Sequence, residues 1–137
     1  MNKLFSPSPI AQQFAIAVVR IITGAFLIYH GREIFDATAM NKYLEWDMFK
    51  DSSGKTMIYA GKAAELVAGI LLVIGLFTRL AAILTIGTLG YIAFFVGDGK
   101  IWEGAQHPFF FVLLGFLFFF TGPGALSADN LIFKKRN

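Results

Sequence analysis

Four apolar stretches alternate with polar segments along the chain, and each has the apolar composition of a membrane-crossing helix. None shows the alternation of apolar and polar positions that is typical of a half-buried strand. The stretches cover residues 10–31, 57–76, 80–97 and 105–121. The last is short for a complete crossing and consists largely of phenylalanine. The pattern predicts an all-α fold, an integral membrane four-helix bundle.

The segments between these stretches predict how the helices are connected. Residues 75–79 and 98–100 are short enough to be turns, so the helices that they join are expected to be antiparallel neighbours. Only residues 32–55 form a long connection, in which charged residues are interrupted by aromatic ones. We expect this segment to form a cap on the membrane surface. No repeat or linker divides the chain, so residues 1–137 are expected to be a single domain.

Composition agrees with a membrane location. The 137 residues are 56% hydrophobic and only 15% charged, and a soluble protein of this size could not bury so much apolar surface. The absence of cysteine excludes disulfides and thiolate-bound metal or iron–sulfur sites within this chain. No nucleotide-binding loop, catalytic triad or zinc-ligand spacing is present. The lipid bilayer is therefore the expected environment, and no metal site is expected.

The distribution of basic residues favours cytoplasmic termini. The side of the termini carries Lys3, Arg79 and the tail at 134–136, with Asp129 as its acid, whereas the cap side mixes five basic residues with many acids. Basic residues in short segments close to the membrane mark the cytoplasmic side. The cap would then be extracytoplasmic. The basic tail suits an anionic lipid surface, and nucleic acid is not an expected partner.

Arg20 and Glu65 are charged residues within apolar stretches. A charge near the middle of a bilayer costs about 2.5–3.5 kcal/mol on insertion scales, so each of them needs a partner. Counted from the terminal side, both lie near the midplane of adjacent helices, and Gly61 and Gly69 share a helix face with Glu65. Small residues let a neighbouring helix come close. We therefore expect a buried Arg20–Glu65 ion pair.

Further polar residues gather at the cap end of the expected helices. Lys62 lies one helical turn from Glu65 in that direction. We take Glu65, Arg20 and Lys62 as the candidate catalytic residues. The candidate cofactor-binding residues, which would surround an outward-facing vestibule, are Tyr29, His30, Trp102, Glu103 and His107.

Three roles for these residues remain open. In the first, the ion pair only holds the helices in register, and the outer groups are ordinary interface residues. In the second, His30 or His107 donates a hydrogen bond to a quinone carbonyl and Glu65 handles the proton. In the third, the polar column conducts protons or a small solute. A haem held by both histidines is disfavoured, because neither belongs to an attachment motif.

Three segments, in combination and order, resemble the DoxX family of small bacterial membrane proteins. They are residues 20–31 (RIITGAFLIYHG), residues 65–79 with their turn GLFTR, and residues 122–129 (GPGALSAD). The resemblance implies a four-helix bundle in the bacterial inner membrane. Relatives are associated with thiosulfate:quinone oxidoreductase as a membrane subunit, and with membrane complexes that protect against thiol or oxidative stress. Distant relatives act in the assembly of partner membrane proteins.

The leading hypothesis is therefore a subunit or accessory of a quinone-linked redox or oxidative-stress complex. The cofactor stays open, with a quinone as the candidate. One alternative is a non-enzymatic membrane scaffold or assembly factor whose cap binds a partner. Another is a small-solute or proton-linked transporter. Another membrane protein or a second copy of this chain is the expected protein partner. Whether this chain is itself an enzyme stays open.

Overall fold

The computed structural model describes residues 3–134, which form helices and turns only. In chain order the helices are α1 (Gln12–Gly31), α2 (Ala37–Leu44), α3 (Gly54–Ile74), α4 (Thr78–Tyr91), α5 (Gln106–Thr121) and α6 (Ala128–Phe133). Short 3₁₀ turns cover Lys3–Phe5, Arg32–Phe35 and Asp47–Phe49, and α4 continues into a π-helical turn at Ile92–Val96.

Within residues 3–134, three helical segments are long and apolar enough to cross a membrane, namely Gln12–Phe35, Gly54–Ile74 and Thr78–Val96. The fourth long helix, α5, is equally apolar but has only 16 residues. At 1.5 Å per residue it spans about 24 Å, less than the roughly 30 Å of a typical hydrocarbon core. The predicted helical membrane bundle is confirmed, and its fourth helix is short, as the sequence indicates.

The four long helices run up and down, so the first and last described residues lie at the same end. We call this end the terminal end and the opposite one the cap end. The cap, residues 32–55, contains the turn Arg32–Phe35, α2, the turn Asp47–Phe49 and the first residues of α3. The Asp36 carboxylate accepts hydrogen bonds from the backbone N–H groups of Thr38 and Ala39, which fixes the start of α2.

Glycines let the long helices pack closely in pairs. A Cβ atom at Gly24 of α1 would lie 2.7 Å from the carbonyl oxygen of Gly69 in α3. A Cβ atom at Gly115 of α5 would lie 2.7 Å from the side chain of Ile86 in α4. In a bilayer no hydrophobic effect drives helices together, so such close contact supplies much of the attraction between them. The pairs α1/α3 and α4/α5 are therefore the tightly packed parts of the bundle.

A closing segment, residues 122–129, fastens the terminal end. The Asp129 carboxylate accepts hydrogen bonds from the backbone N–H groups of Phe77 (2.7 Å) and Thr78 (2.9 Å), where α4 begins. A carboxylate is favourable there because the first N–H groups of a helix have no intrahelical partner and carry partial positive charge. The Ala125 N–H also donates to the Gln13 carbonyl of α1. The closing segment thus links α1 to the α3–α4 turn.

Candidate functional site

The expected ion pair between Arg20 and Glu65 is wrong. The Arg20 side chain is completely buried, and its Nε atom donates to the backbone carbonyl of Pro123 at 2.7 Å. Its two terminal nitrogens also donate to backbone carbonyls, those of Leu72, Val73, Ala125 and Leu126. Arg20 therefore joins the last turn of α3 to the closing segment.

The stagger between α1 and α3 explains why this ion pair does not form. Gly31, the last residue of α1, packs against Leu66, where its Cβ atom would lie 2.5 Å from the backbone nitrogen. Glu65 therefore lies beside the end of α1, whereas Arg20 lies eleven residues earlier, about 17 Å away along the helix axis. The predicted pair required α1 and α3 to begin at the same depth in the membrane, and the stagger between them removes that condition.

Glu65 instead pairs with Lys62, which lies three residues earlier on the same face of α3. The Lys62 Nζ atom is 3.2 Å from Glu65 Oε2 and 3.0 Å from Glu33 Oε2. Only 4% of the Glu65 side chain and 12% of the Lys62 side chain are exposed, against 32% for Glu33. One ammonium group thus bridges a buried carboxylate and a partly exposed one.

Tyr43, from the last turn of α2, completes this arrangement. Its hydroxyl donates a 2.7 Å hydrogen bond to the same Glu33 Oε2 atom. Burial raises the pKa of Tyr43, and the hydrogen bond to Glu33 raises it further, so the phenol stays protonated and acts as a donor. We call Glu33, Tyr43, Lys62 and Glu65 the Lys62 cluster. Glu33 and Tyr43 belong to the cap and Lys62 and Glu65 to α3, so the cluster ties the cap to α3.

His30 and His107 meet beside the Lys62 cluster. Their ring centroids are 5.2 Å apart and the rings are arranged edge to face, at 70°. His30 belongs to the last turn of α1 and His107 to the first turn of α5, so the two helices bring the rings together at the cap end. A porphyrin between the two imidazoles does not fit, because the rings are in direct contact. Among residues 3–134, no group of three or more potential metal ligands is arranged around a common point.

A cavity of about 630 Å³ lies between α3 and α4 at the cap end. Its polar end is formed by His30, Lys62, Glu65 and His107, and most of the remaining wall is apolar. The cap residues Tyr43, Trp46 and Phe49 cover it. The cavity is partly open, and two residues of its wall, Met57 and Ile83, are exposed. Its size and lining are typical of a site for an apolar small molecule.

Two glycines enlarge this cavity. No atom lies within 4 Å of the position that a Cβ atom would occupy at Gly61 or Gly87, and both residues line the cavity. The sequence pattern predicts that Gly61 allows a neighbouring helix to come close, and this is wrong. Gly24 and Gly69 have that role. Gly61 and Gly87 leave open space beside the polar end.

The comparisons with known proteins assign the chain to a family. A family model described as DoxX matches residues 15–98. The chain belongs to the DoxX family. It is also 32% identical over 146 aligned positions to an uncharacterized protein of Haemophilus influenzae, with 98% of this chain and 100% of that protein covered. No solved structure matches the chain.

The region that matches the DoxX model contains the buried Arg20 and the largely buried Lys62, together with Glu33 and Glu65. It ends before His107, which α5 contributes. The cavity of this DoxX protein is thus built from the matched region, with one wall completed by the part of the chain that follows it.

Three of the expected cofactor-binding residues lie outside the cavity lining. The Tyr29 ring contacts the His30 ring and lies beneath the Arg32 guanidinium, 4.3 Å from its central carbon, on the outer surface. Trp102 is 85% exposed in the turn between α4 and α5, and Glu103 follows it there. Of the residues selected from sequence, the structure brings together His30, Lys62, Glu65 and His107.

The sequence pattern did not single out the cap residues that cover the cavity. Tyr43, Trp46 and Phe49 recur every three residues, and their rings contact one another in series. This spacing within an otherwise polar segment was the available signal, because it predicts a buried aromatic face. Gly87 left no signal, since a glycine that opens a cavity cannot be distinguished in sequence from one that packs against a helix.

Proposed function

We propose that this DoxX-family protein is a quinone-binding subunit or accessory of a redox or oxidative-stress complex in the bacterial cytoplasmic membrane. The observation that carries the proposal is the cavity between α3 and α4, which is largely apolar, partly open and polar at one end. A quinone has a flat ring, an apolar tail and carbonyl oxygens that accept hydrogen bonds. Such a molecule is dissolved in the bilayer and would enter through the open part of the cavity.

Each part of the site has a role in this proposal. The Lys62 ammonium and the imidazoles of His30 and His107 are the donors available to a ring carbonyl. Glu65 holds Lys62 in position and lines the same cavity. The apolar wall would take the ring face and the first part of the tail. A bound quinone supplies two-electron, two-proton chemistry, and the proposal places the electron-transfer partner in another membrane protein.

The two tryptophans allow a direct test of binding. Trp46 lines the cavity, whereas Trp102 lies outside its lining. Because the chain has two tryptophans, Trp102→Phe leaves Trp46 as the single reporter. Titration with decylubiquinone in nanodiscs should then quench the fluorescence and reach saturation. The matched variant Trp46→Phe reports only quenching by quinone dissolved in the bilayer. Equal and unsaturable quenching in both variants would overturn the proposal.

The open glycines allow the cavity to be blocked without repacking the bundle. A leucine at Gly87 would extend into free space, so Gly87→Leu should abolish saturable quenching and leave the melting temperature close to that of the parent. Gly104 is the matched control, because it also has open space around it but lies outside the cavity lining. If Gly87→Leu binds decylubiquinone like the parent, the ligand lies elsewhere. The scaffold alternative would then become the better explanation.

We also propose that both termini face the cytoplasm and the cap faces outward. This is supported by Lys3, Arg79 and Lys134 at the terminal end, whereas Lys135 and Arg136 of the same tail lie outside the described residues. Reporter fusions at the C-terminus test it: a green fluorescent protein should be fluorescent and alkaline phosphatase inactive. The opposite pair of results would reverse the orientation.

A further inference from the structure

The Lys62 cluster lies between two openings of the molecule. On one side, Lys62 and Glu65 line the cavity. On the other side, Glu33 lines a shallow depression of the cap-end surface, together with Arg32 and Asp36. The Lys62 Nζ atom contacts a carboxylate on each side, at 3.0 and 3.2 Å. Three ionisable groups in contact thus extend from the surface to the cavity.

The charges of these groups do not balance. One ammonium and two carboxylates leave a net charge of −1, and a net charge in a site of low dielectric is costly. Binding of one proton by either carboxylate would make the three groups neutral. The other titratable or charged groups that face them are His30 and His107 at the cavity, Tyr43 from the cap, and Arg32 and Asp36 in the depression. Lys62 and the two acids are therefore suited to hold an exchangeable proton.

We propose that Glu33, Lys62 and Glu65 form a proton path between the cap-end surface and the cavity. The inference rests on the proposed function, since it supplies or removes the protons that a quinone exchanges. A proton first binds to the Glu33 carboxylate. Lys62 then gives one proton to Glu65, and its amine takes the proton of Glu33. One proton has moved inward, the Lys62 ammonium is restored, and the reverse sequence moves a proton outward.

Glu33 is a relay residue in this path and does not itself line the cavity. The test therefore needs a readout that a merely structural role would not change, and the rate at which Glu65 becomes protonated is such a readout. The quinone-free protein in nanodiscs would receive protons from a photolysed caged acid. Time-resolved infrared absorption of the carboxylic acid C=O stretch would follow the result. Glu65→Gln identifies the Glu65 band, which should be absent in that variant.

The decisive variant is Glu33→Gln. The Glu65 band should rise at least about tenfold more slowly than in the parent, because the relay group is missing. Its amplitude should be smaller, because Lys62 and Glu65 without Glu33 are already neutral together, so the rate is the quantity compared. Glu45→Gln is the matched control: it removes another acid of the cap, exposed and outside the cluster contacts, and should leave the rate unchanged. If Glu33→Gln does not fold, Glu33→Asp serves instead, and its shorter side chain should also slow the band.

Two results would overturn the proton path. The first is a folded Glu33 variant in which the Glu65 band rises as fast as in the parent. The second is a parent protein whose infrared response contains no band assignable to Glu65, so that Glu65→Gln gives the same spectrum. Quinone binding is measured separately by Trp46 quenching. A slow Glu33 variant in a protein that shows no saturable quenching would therefore contradict the proposed function and support the path. Saturable quenching of Trp46, together with an unchanged rate of the Glu65 band in the Glu33 variant, would support the proposed function and contradict the proton path.

Discussion

Arg20 is fully buried and Lys62 is largely buried, both within long apolar helices, but their charges are satisfied in different ways. Arg20 donates to backbone carbonyls of α3 and the closing segment. Lys62 contacts the carboxylates of Glu33 and Glu65. Backbone carbonyls can neither gain nor lose a proton near neutral pH, whereas carboxylates can. The terminal end therefore has a fixed structural contact, and the cap end has groups capable of proton chemistry.

The two cations also differ in the geometry of their side chains and in the space beside them. The planar guanidinium of Arg20 presents five N–H donors in a rigid fork, which suits several carbonyls at fixed positions. Lys62 instead borders a partly open cavity. A charged residue within a membrane span is a functional candidate by default. In this protein the two charged residues differ in the chemistry of their partners and in the presence of an adjoining cavity, and these two differences make Lys62 the candidate.

The largest effect is expected for Arg20→Ala. The substitution leaves several buried carbonyls without a donor and releases the closing segment, so we expect a loss of at least about 3–5 kcal/mol and little folded protein. Folded yield and the thermal midpoint, from size-exclusion chromatography of heated samples, measure the effect. Arg20→Lys keeps the charge with fewer donors and should be intermediate. An Arg20→Ala variant that melts like the parent would show that these hydrogen bonds contribute little.

Lys62→Met should have the next largest effect, about 3 kcal/mol, because it leaves two carboxylates close together without their cation. Adding Glu65→Gln to it should restore much of the lost stability, since the buried carboxylate is then removed as well. Thermal midpoints of the single and double variants measure this coupling. Strictly additive losses would argue against the contact between Lys62 and Glu65.

Asp129→Asn should cost about 1–2 kcal/mol, because an amide oxygen can still accept one hydrogen bond at the start of α4 but carries no charge. The thermal midpoint is again the measurement. The loss should shrink at high salt, where the carboxylate of the parent is screened. A variant as destabilised as Arg20→Ala would indicate that Asp129 has a further buried role.

Tyr43→Phe should have the smallest effect, about 1 kcal/mol, since it removes one hydrogen bond to a carboxylate that is partly exposed to solvent. The ring still covers the cavity, so saturable quenching of Trp46 by decylubiquinone should remain. Loss of quenching in a stable Tyr43→Phe protein would mean that the hydroxyl contacts the ligand directly.

The sequence was sufficient for the helices, because the thickness of a bilayer imposes a length and an apolar composition on each crossing. The pairing of Lys62 with Glu65, three residues apart on one helix, was also within reach of the sequence, although the predicted partner of Glu65 was Arg20. The partners of Arg20 could not be predicted, because they are backbone carbonyls. Every residue has such a group, so the residue types in the sequence do not indicate which ones Arg20 contacts. The stagger of α1 against α3 was equally hidden, because it depends on where Gly24, Gly31 and Gly69 find close contact.

The most direct test of the difference between the two ends compares matched substitutions of a carboxylate by an amide. Glu65→Gln changes the cap-end site and Asp129→Asn the terminal end, both in the Trp102→Phe background. Decylubiquinone titration should show binding at least about tenfold weaker for Glu65→Gln and unchanged for Asp129→Asn, a difference of about 1.4 kcal/mol. Equal affinities in the two variants would contradict the assignment of the chemistry to the cap end.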